Sequence, residues 1–139
     1  MRRSRSSVSH STRVRCTKPR SKLLDMPKPS EPRQGRHIDH ASVPIVSSPS
    51  GLPTQHLVSA RDGAERLFVA QQWLQPGDRV LLHTHPVEEA ITFLAGSGEA
   101  TLGEETVPIG SDISLYIPAG VIHGFRCTAG TLHVCCVTQ

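Results

Sequence analysis

From about residue 66 to the C-terminus, turn signals cut the chain into short apolar stretches, and nowhere does an apolar residue recur at helical spacing for three turns. Short strands are therefore expected near 66–74, 79–84, 89–95, 98–102, 105–109, 113–117, 121–127 and 131–138, with two further candidates at 42–46 and 54–59. Gln75-Pro76-Gly77-Asp78 reads as a turn. Gly96-Ser97-Gly98 and Thr128-Ala129-Gly130 read as tight hairpins. Many short strands at this spacing predict an all-β fold, a single antiparallel β-sandwich or barrel. Phe68, Trp73, Phe93, Tyr116 and Phe125 all fall in this stretch, so the core is expected there.

Charge divides the chain. Residues 1–40 hold eleven Lys and Arg against three acids, whereas residues 41–139 hold four basic residues against nine acids. The first 40 residues are rich in Arg, Ser and Pro and poor in large apolar groups. Such a segment buries too little surface to offset its ordering entropy. The expected organisation is a disordered basic arm, 1–40, and one folded domain, 41–139. Asp25 is the first acid in the chain, and residues 1–25 fit three readings: an organellar transit peptide, a nucleic-acid-binding arm, or a stretch ahead of a true start at Met26. No aromatics interleave with the arginines, which argues against nucleic acid. No stretch has the apolar length to span a bilayer, and no apolar segment follows the basic start, so neither a membrane span nor a secretory signal is expected. Cys16, Cys127, Cys135 and Cys136 show no spaced framework and read as reduced thiols of a cytoplasmic protein, organellar if the transit reading holds.

His83 and His85 lie one residue apart on an expected strand, so both imidazoles share a face. Glu89 follows after a turn at Pro86, and His123 sits just past Pro118-Ala119-Gly120. Imidazoles joined by one carboxylate suit one divalent transition metal: Fe, Mn, Ni, Cu, Co or Zn. Glu88 competes with Glu89, but Glu89 shares the face of Ile91 and Phe93, and Glu88 that of Ala90 and Thr92.

The spacing resembles the cupin family. Its first motif is matched by Gly77, five residues, His83-Thr84-His85, three residues, Glu89, six residues and Gly96. Its second is matched by Pro118-Ala119-Gly120 and His123, with two departures: Asp112 stands in place of the motif glycine and Cys127 in place of the asparagine. The resemblance covers 77–127. It implies a jelly-roll barrel in which His83, His85, Glu89 and His123 hold the metal and leave coordination positions open.

Around that site, Leu81, Ile91, Phe93 and Phe125 are expected to line a largely apolar pocket. Arg79, one of Gln71 or Gln72, and Cys136 are possible polar or thiol neighbours. Tyr116 and Glu88 are the candidate acid–base groups. Two hairpin registers are open for the C-terminal pair of strands: one sets His123 opposite Cys136 and points Leu132, Val134 and Cys136 inward, the other points His133 and Cys135 inward. The expected function is a metal-dependent enzyme acting on a small organic molecule, whether oxygenase, isomerase, lyase or cyclase. The alternative is a binding module without turnover. Exposed sheet edges and outward Leu67, Val69 and Trp73 predict a homodimer.

Overall fold

Antiparallel pairing builds the sheet. In Phe68–Leu74 the side chains of Ala70, Gln71 and Leu74 are buried, and every residue of the stretch pairs antiparallel with the C-terminal strand. The computed structural model describes residues 34–139, and the compact unit of that part runs from Gly35 to Gln139. The expected disordered arm, with its targeting and start-site readings, lies outside the described residues up to residue 33. Residues 35–43 belong with the folded part: Gln55 Nε2 donates to the carbonyls of His40 and Val43 at 2.9 and 2.7 Å.

Eight strands follow in order: β1 (Val46–Ser47), β2 (Pro53–Val58), β3 (Phe68–Leu74), β4 (Arg79–His83), β5 (Glu89–Leu102), β6 (Glu105–Gly110), β7 (Ile113–Ile117) and β8 (His123–Thr138). Single 3-10 turns lie at His40–Ser42 and Ala60–Asp62. The hydrogen-bonded order is β1-β2-β3-β8-β5-β6, with β4 on β8 and β7 on β5. The described residues form an all-β, antiparallel fold, as the short apolar stretches predict. The expected strand at 42–46 is reduced to the two-residue β1, because Asp39 caps a 3-10 turn there by accepting from the Ala41 amide.

Two expected hairpins do not exist. The chain runs straight through Gly96-Ser97-Gly98 inside β5 and through Ala129-Gly130 inside β8. Each strand turns a corner rather than reversing. The first half of β5 pairs with β7 and the last residues of β8, and its second half pairs with β6 and the first residues of β8. Register shifts between Phe93 and Gly98 supply the bend, as bulges do at sheet corners. Neither expected hairpin register therefore applies, and Cys136 pairs with Ile91, not His123. Parity still sends Leu132 and Val134 into the core, both with no exposed surface. His133 goes to the other face, stacked on Trp73 at 5.1 Å and donating through Nε2 to Gln71 Oε1.

The corner is tight. A Cβ built on Gly96 would lie 2.5 Å from the Thr131 carbonyl oxygen and 2.6 Å from Leu132 Cα. Asp112, standing where the motif glycine would be, takes φ 66, the left-handed backbone that glycine adopts freely and Asp tolerates. Cys127, in place of the motif asparagine, is buried in the core, where its thiol donates to the Gly130 carbonyl at 3.1 Å. Phe93 and Phe125 meet edge to face at 5.5 Å beside Ile91, Leu115 and Ile117. The described cysteines Cys127, Cys135 and Cys136 are free thiols. Among the described residues no helix is long and apolar enough to cross a membrane.

Candidate metal centre

β4 ends on His83, β5 begins on Glu89 and β8 begins on His123, so three strand ends meet at one point. Pairing places His83 directly across from His123, and their rings are 4.3 Å apart. His85 reaches the same point from the loop beyond β4, with its ring 4.9 Å from that of His123. One donor atom from each of His83, His85, Glu89 and His123 lies within 4.8 Å of the others.

Each imidazole is aimed by its other nitrogen. The Nδ1 atoms of His83, His85 and His123 lie 2.8, 2.7 and 2.9 Å from the carbonyl oxygens of Leu81, Val87 and Val121. A carbonyl only accepts, so each Nδ1 carries the proton and each neutral ring turns a bare Nε2 inward. Yet Glu89 Oε2 lies 3.0 Å from His85 Nε2 and 2.9 Å from His123 Nε2. Lone pairs would then face lone pairs in a buried place. A cation between them, or extra protons on the imidazoles or the carboxyl group, resolves the conflict. The donor set thus fits a divalent transition metal on its own chemistry.

The surroundings bias the protons in the same sense. Burial alone would lower the pKa of His85, but the hydrogen bonds to Glu89 and to the Val87 carbonyl, with the Glu89 charge, outweigh it and hold the pKa above its ordinary value. The Cys136 thiol is pushed well up, first by burial and then by the Glu89 charge beside it. It stays protonated.

A cavity of about 550 Å³ opens against His83 and Glu89. Leu81, Ile91, Phe125 and Cys136 line it, together with Val80, Phe68 and Ala70. Phe93 stands behind this wall, fully buried against Phe125. Gln72 is the glutamine that lines the cavity, bonded through Nε2 to Thr54 Oγ1 at 2.9 Å. Gln71 faces the other way, towards Gln55 and His133. Arg79 is not among the cavity's lining residues. A register irregularity between Val80 and His83 breaks the alternation that would have set it beside the histidines, and it sits opposite Arg126 at a separate hollow. Glu88 and Tyr116 are exposed and bond each other at 2.5 Å, which raises the Tyr116 pKa; neither lines the cavity.

Sequence reasoning missed Thr54, His56 and Phe68, which also line it. The signal available was parity within 54–58, which puts Thr54 and His56 on one face. Nothing in the histidine motif, some thirty residues away, points to them.

A family model described as a cupin domain matches residues 71–138. The chain is 30% identical over 97 residues to Protein SchB of Streptomyces halstedii, covering 69% of this chain and 70% of that one. It is 35% identical over 65 residues to Polyketide synthase CurC of Streptomyces cyaneus, covering 46% of this chain and 42% of that protein, so it spans less than half of that relative's length. Among solved structures, the polyketide cyclase RemF from Streptomyces resistomycificus superposes with a TM-score of 0.66 at 25% identity, over 76% of this chain and 79% of that one.

Proposed function

The chain belongs to the cupin superfamily, and from that premise we propose that it is a metal-dependent enzyme acting on a small, largely apolar carbonyl compound of the polyketide class. The observation that carries the metal is the facing of Glu89 Oε2 with two imidazole nitrogens whose protons are already committed elsewhere. One divalent ion, Fe, Mn, Ni, Cu, Co or Zn, would be held by His83, His85, Glu89 and His123. When bound, such an ion supplies Lewis-acid polarisation of a carbonyl oxygen. The chain's own part is to fix the ligands through the three Nδ1–carbonyl contacts and to seat the substrate body on Ile91, Phe125 and Phe68. The polyketide class is supported by the similarity to Polyketide synthase CurC and to the polyketide cyclase RemF and by the apolar lining of the cavity. A ligand-binding module without turnover is the second reading, favoured because Glu89 is the only carboxylate in that lining.

Elemental analysis of the purified chain, followed by incubation with a poly-β-carbonyl compound, tests the reading. About one equivalent of metal, with conversion only when it is loaded, supports the enzyme. Metal with binding and no conversion favours the module. No metal after reconstitution ends the metalloenzyme reading and leaves the cupin fold standing.

The pH dependence has a definite sign. Bound imidazoles must be neutral, so the ion should leave as pH falls through and below about 6.5. In the metal-free protein the raised pKa of His85 works the other way. Its contribution is fully present below the unfolded value and is lost as pH rises through the folded value. The Tm advantage of the loaded over the metal-free protein should therefore widen between about pH 5 and about pH 8. A pH-independent gap in paired thermal scans would count against histidine ligation.

A homodimer belongs to the same reading. β1 and β6 end the hydrogen-bonded order with open edges, and Val46 in β1 and Ile45 just before it are exposed. Light scattering that shows only monomer at assay concentration would exclude it.

A further inference from the structure

We propose that His56 is a catalytic residue of this cavity, the group that takes a proton from the substrate and returns it; the inference rests on the reading above. Strand alternation places it. β2 turns Thr54 and His56 to the cavity and sends Gln55 to the opposite face, where it bonds Gln71. Pairing then runs His56 to Ala70, Ala70 to Cys136 and Cys136 to Ile91, one row across β2, β3, β8 and β5. Glu89 lies two residues along β5 from Ile91, where it pairs with Thr138. The two residues between His56 and Ile91 have short side chains. They make a low floor with an imidazole at one side and the metal ligands towards the other, and the cavity occupies the space above it.

His56 also differs from the histidines of the metal centre. Each of those has Nδ1 on a carbonyl, and His133 is bonded to Gln71. The His56 imidazole has an edge contact with the Phe68 ring, at 5.2 Å, and no side-chain hydrogen bond among the described residues. Its nitrogens are not sealed in, because among the described residues no buried side-chain nitrogen or oxygen lacks a partner. The residue also borders a surface cleft of about 300 Å³, through which a proton can reach solvent. It is not one of the four clustered ligands, so loading the site leaves it free. A positioned imidazole with open nitrogens is the side chain best suited to proton transfer near neutrality.

The step is removal of a proton from the carbon next to a carbonyl. The C–H bond breaks, its electron pair becomes the carbon–carbon double bond of the enolate with the charge on oxygen, and the proton goes to a ring nitrogen of His56. The reverse step returns a proton, exchanged with solvent, to carbon.

The probe is ortho-acetylphenol in deuterated buffer, with loss of its methyl proton signal followed by NMR. Loaded wild type should exchange these protons faster than free metal does, and His56→Gln should slow exchange about a hundredfold while keeping its metal. His56→Phe, which preserves the ring contact with Phe68, should do the same and covers a folding failure of the first variant. A second readout needs no turnover: in metal-free protein the probe should shift the His56 imidazole nitrogen resonances, identified by their loss in His56→Gln. Exchange unchanged in the variants, exchange absent in loaded wild type, or unshifted His56 resonances would each overturn this assignment and leave the metal centre standing. Failure of the wild type to take up metal would instead overturn the reading beneath it.

Discussion

Gly96→Ala should lower stability by about 3 kcal/mol, roughly 15 °C in Tm for a domain of this size. Two costs add. A Cβ there would lie 2.5–2.7 Å from three backbone atoms of Thr131 and Leu132, none at the end of a flexible side chain. The residue also has φ 77, where a non-glycine residue is strained by about 1–2 kcal/mol. Gly130→Ala separates the two costs. It has φ 66, but its Cβ would meet only Gly96 Cα, at an ordinary 3.6 Å. That variant should show the strain alone, about 1–2 kcal/mol. Paired thermal unfolding by circular dichroism decides the matter. Equal losses in the two variants would mean that the β5–β8 corner yields to a methyl group.

His123→Ala should cut metal affinity by more than about a hundredfold, beyond what removal of an outer partner costs. His123 is 1% exposed, its Nδ1 faces the Val121 carbonyl, and its ring touches both His83 and His85. His133→Ala is the control, since His133 packs on Trp73 away from the cluster, and its metal content should match wild type. Glu89→Gln gives the more informative outcome. It removes the charged ligand, so metal should again be lost. Its amide can donate to the bare Nε2 atoms of His85 and His123, which the carboxylate cannot do. The metal-free variant should therefore be more stable than metal-free wild type at neutral pH, by about 1 kcal/mol. Isothermal titration with metal and urea unfolding of both metal-free proteins measure the two effects. A metal-free Glu89→Gln less stable than wild type would show that protons, not a bound cation, settle the site.

The four clustered side chains were legible because their spacing is local or anchored by turns. Three of them fall within seven residues, and Pro118-Ala119-Gly120 fixes the start of the last strand. Gly96 was legible as a motif glycine, but its reason was not. A glycine that ends a hairpin and one that lets two backbones cross look alike until the partner strand is known. For the same reason β5 and β8 each read as two strands. Arg79 illustrates a different limit: alternation carries parity only as far as the first bulge, and the irregularity before His83 leaves no mark in the side-chain pattern. His56 was hidden by distance along the chain, since only the pairing of β2 through β3 to β8 brings it to the cavity.

β4 has the slenderest attachment of any strand that carries a ligand. It pairs with β8 only at Arg79, Val80 and His83, and Leu81 and Leu82 between them are more than half exposed. The Leu81 amide has a long contact, 3.4 Å, to the Ser50 hydroxyl. Such a segment opens locally at little free-energy cost. Its last residue is nevertheless one of the four donors, and Val80–Leu82 form part of the cavity wall. An ion gripped from β4, β5 and β8 at once suppresses that opening, and a guest that needs the wall closed favours the same state. Thermodynamic reciprocity then links the two: the guest tightens the ion by the factor that the ion tightens the guest, with a frayed edge as the element both bias.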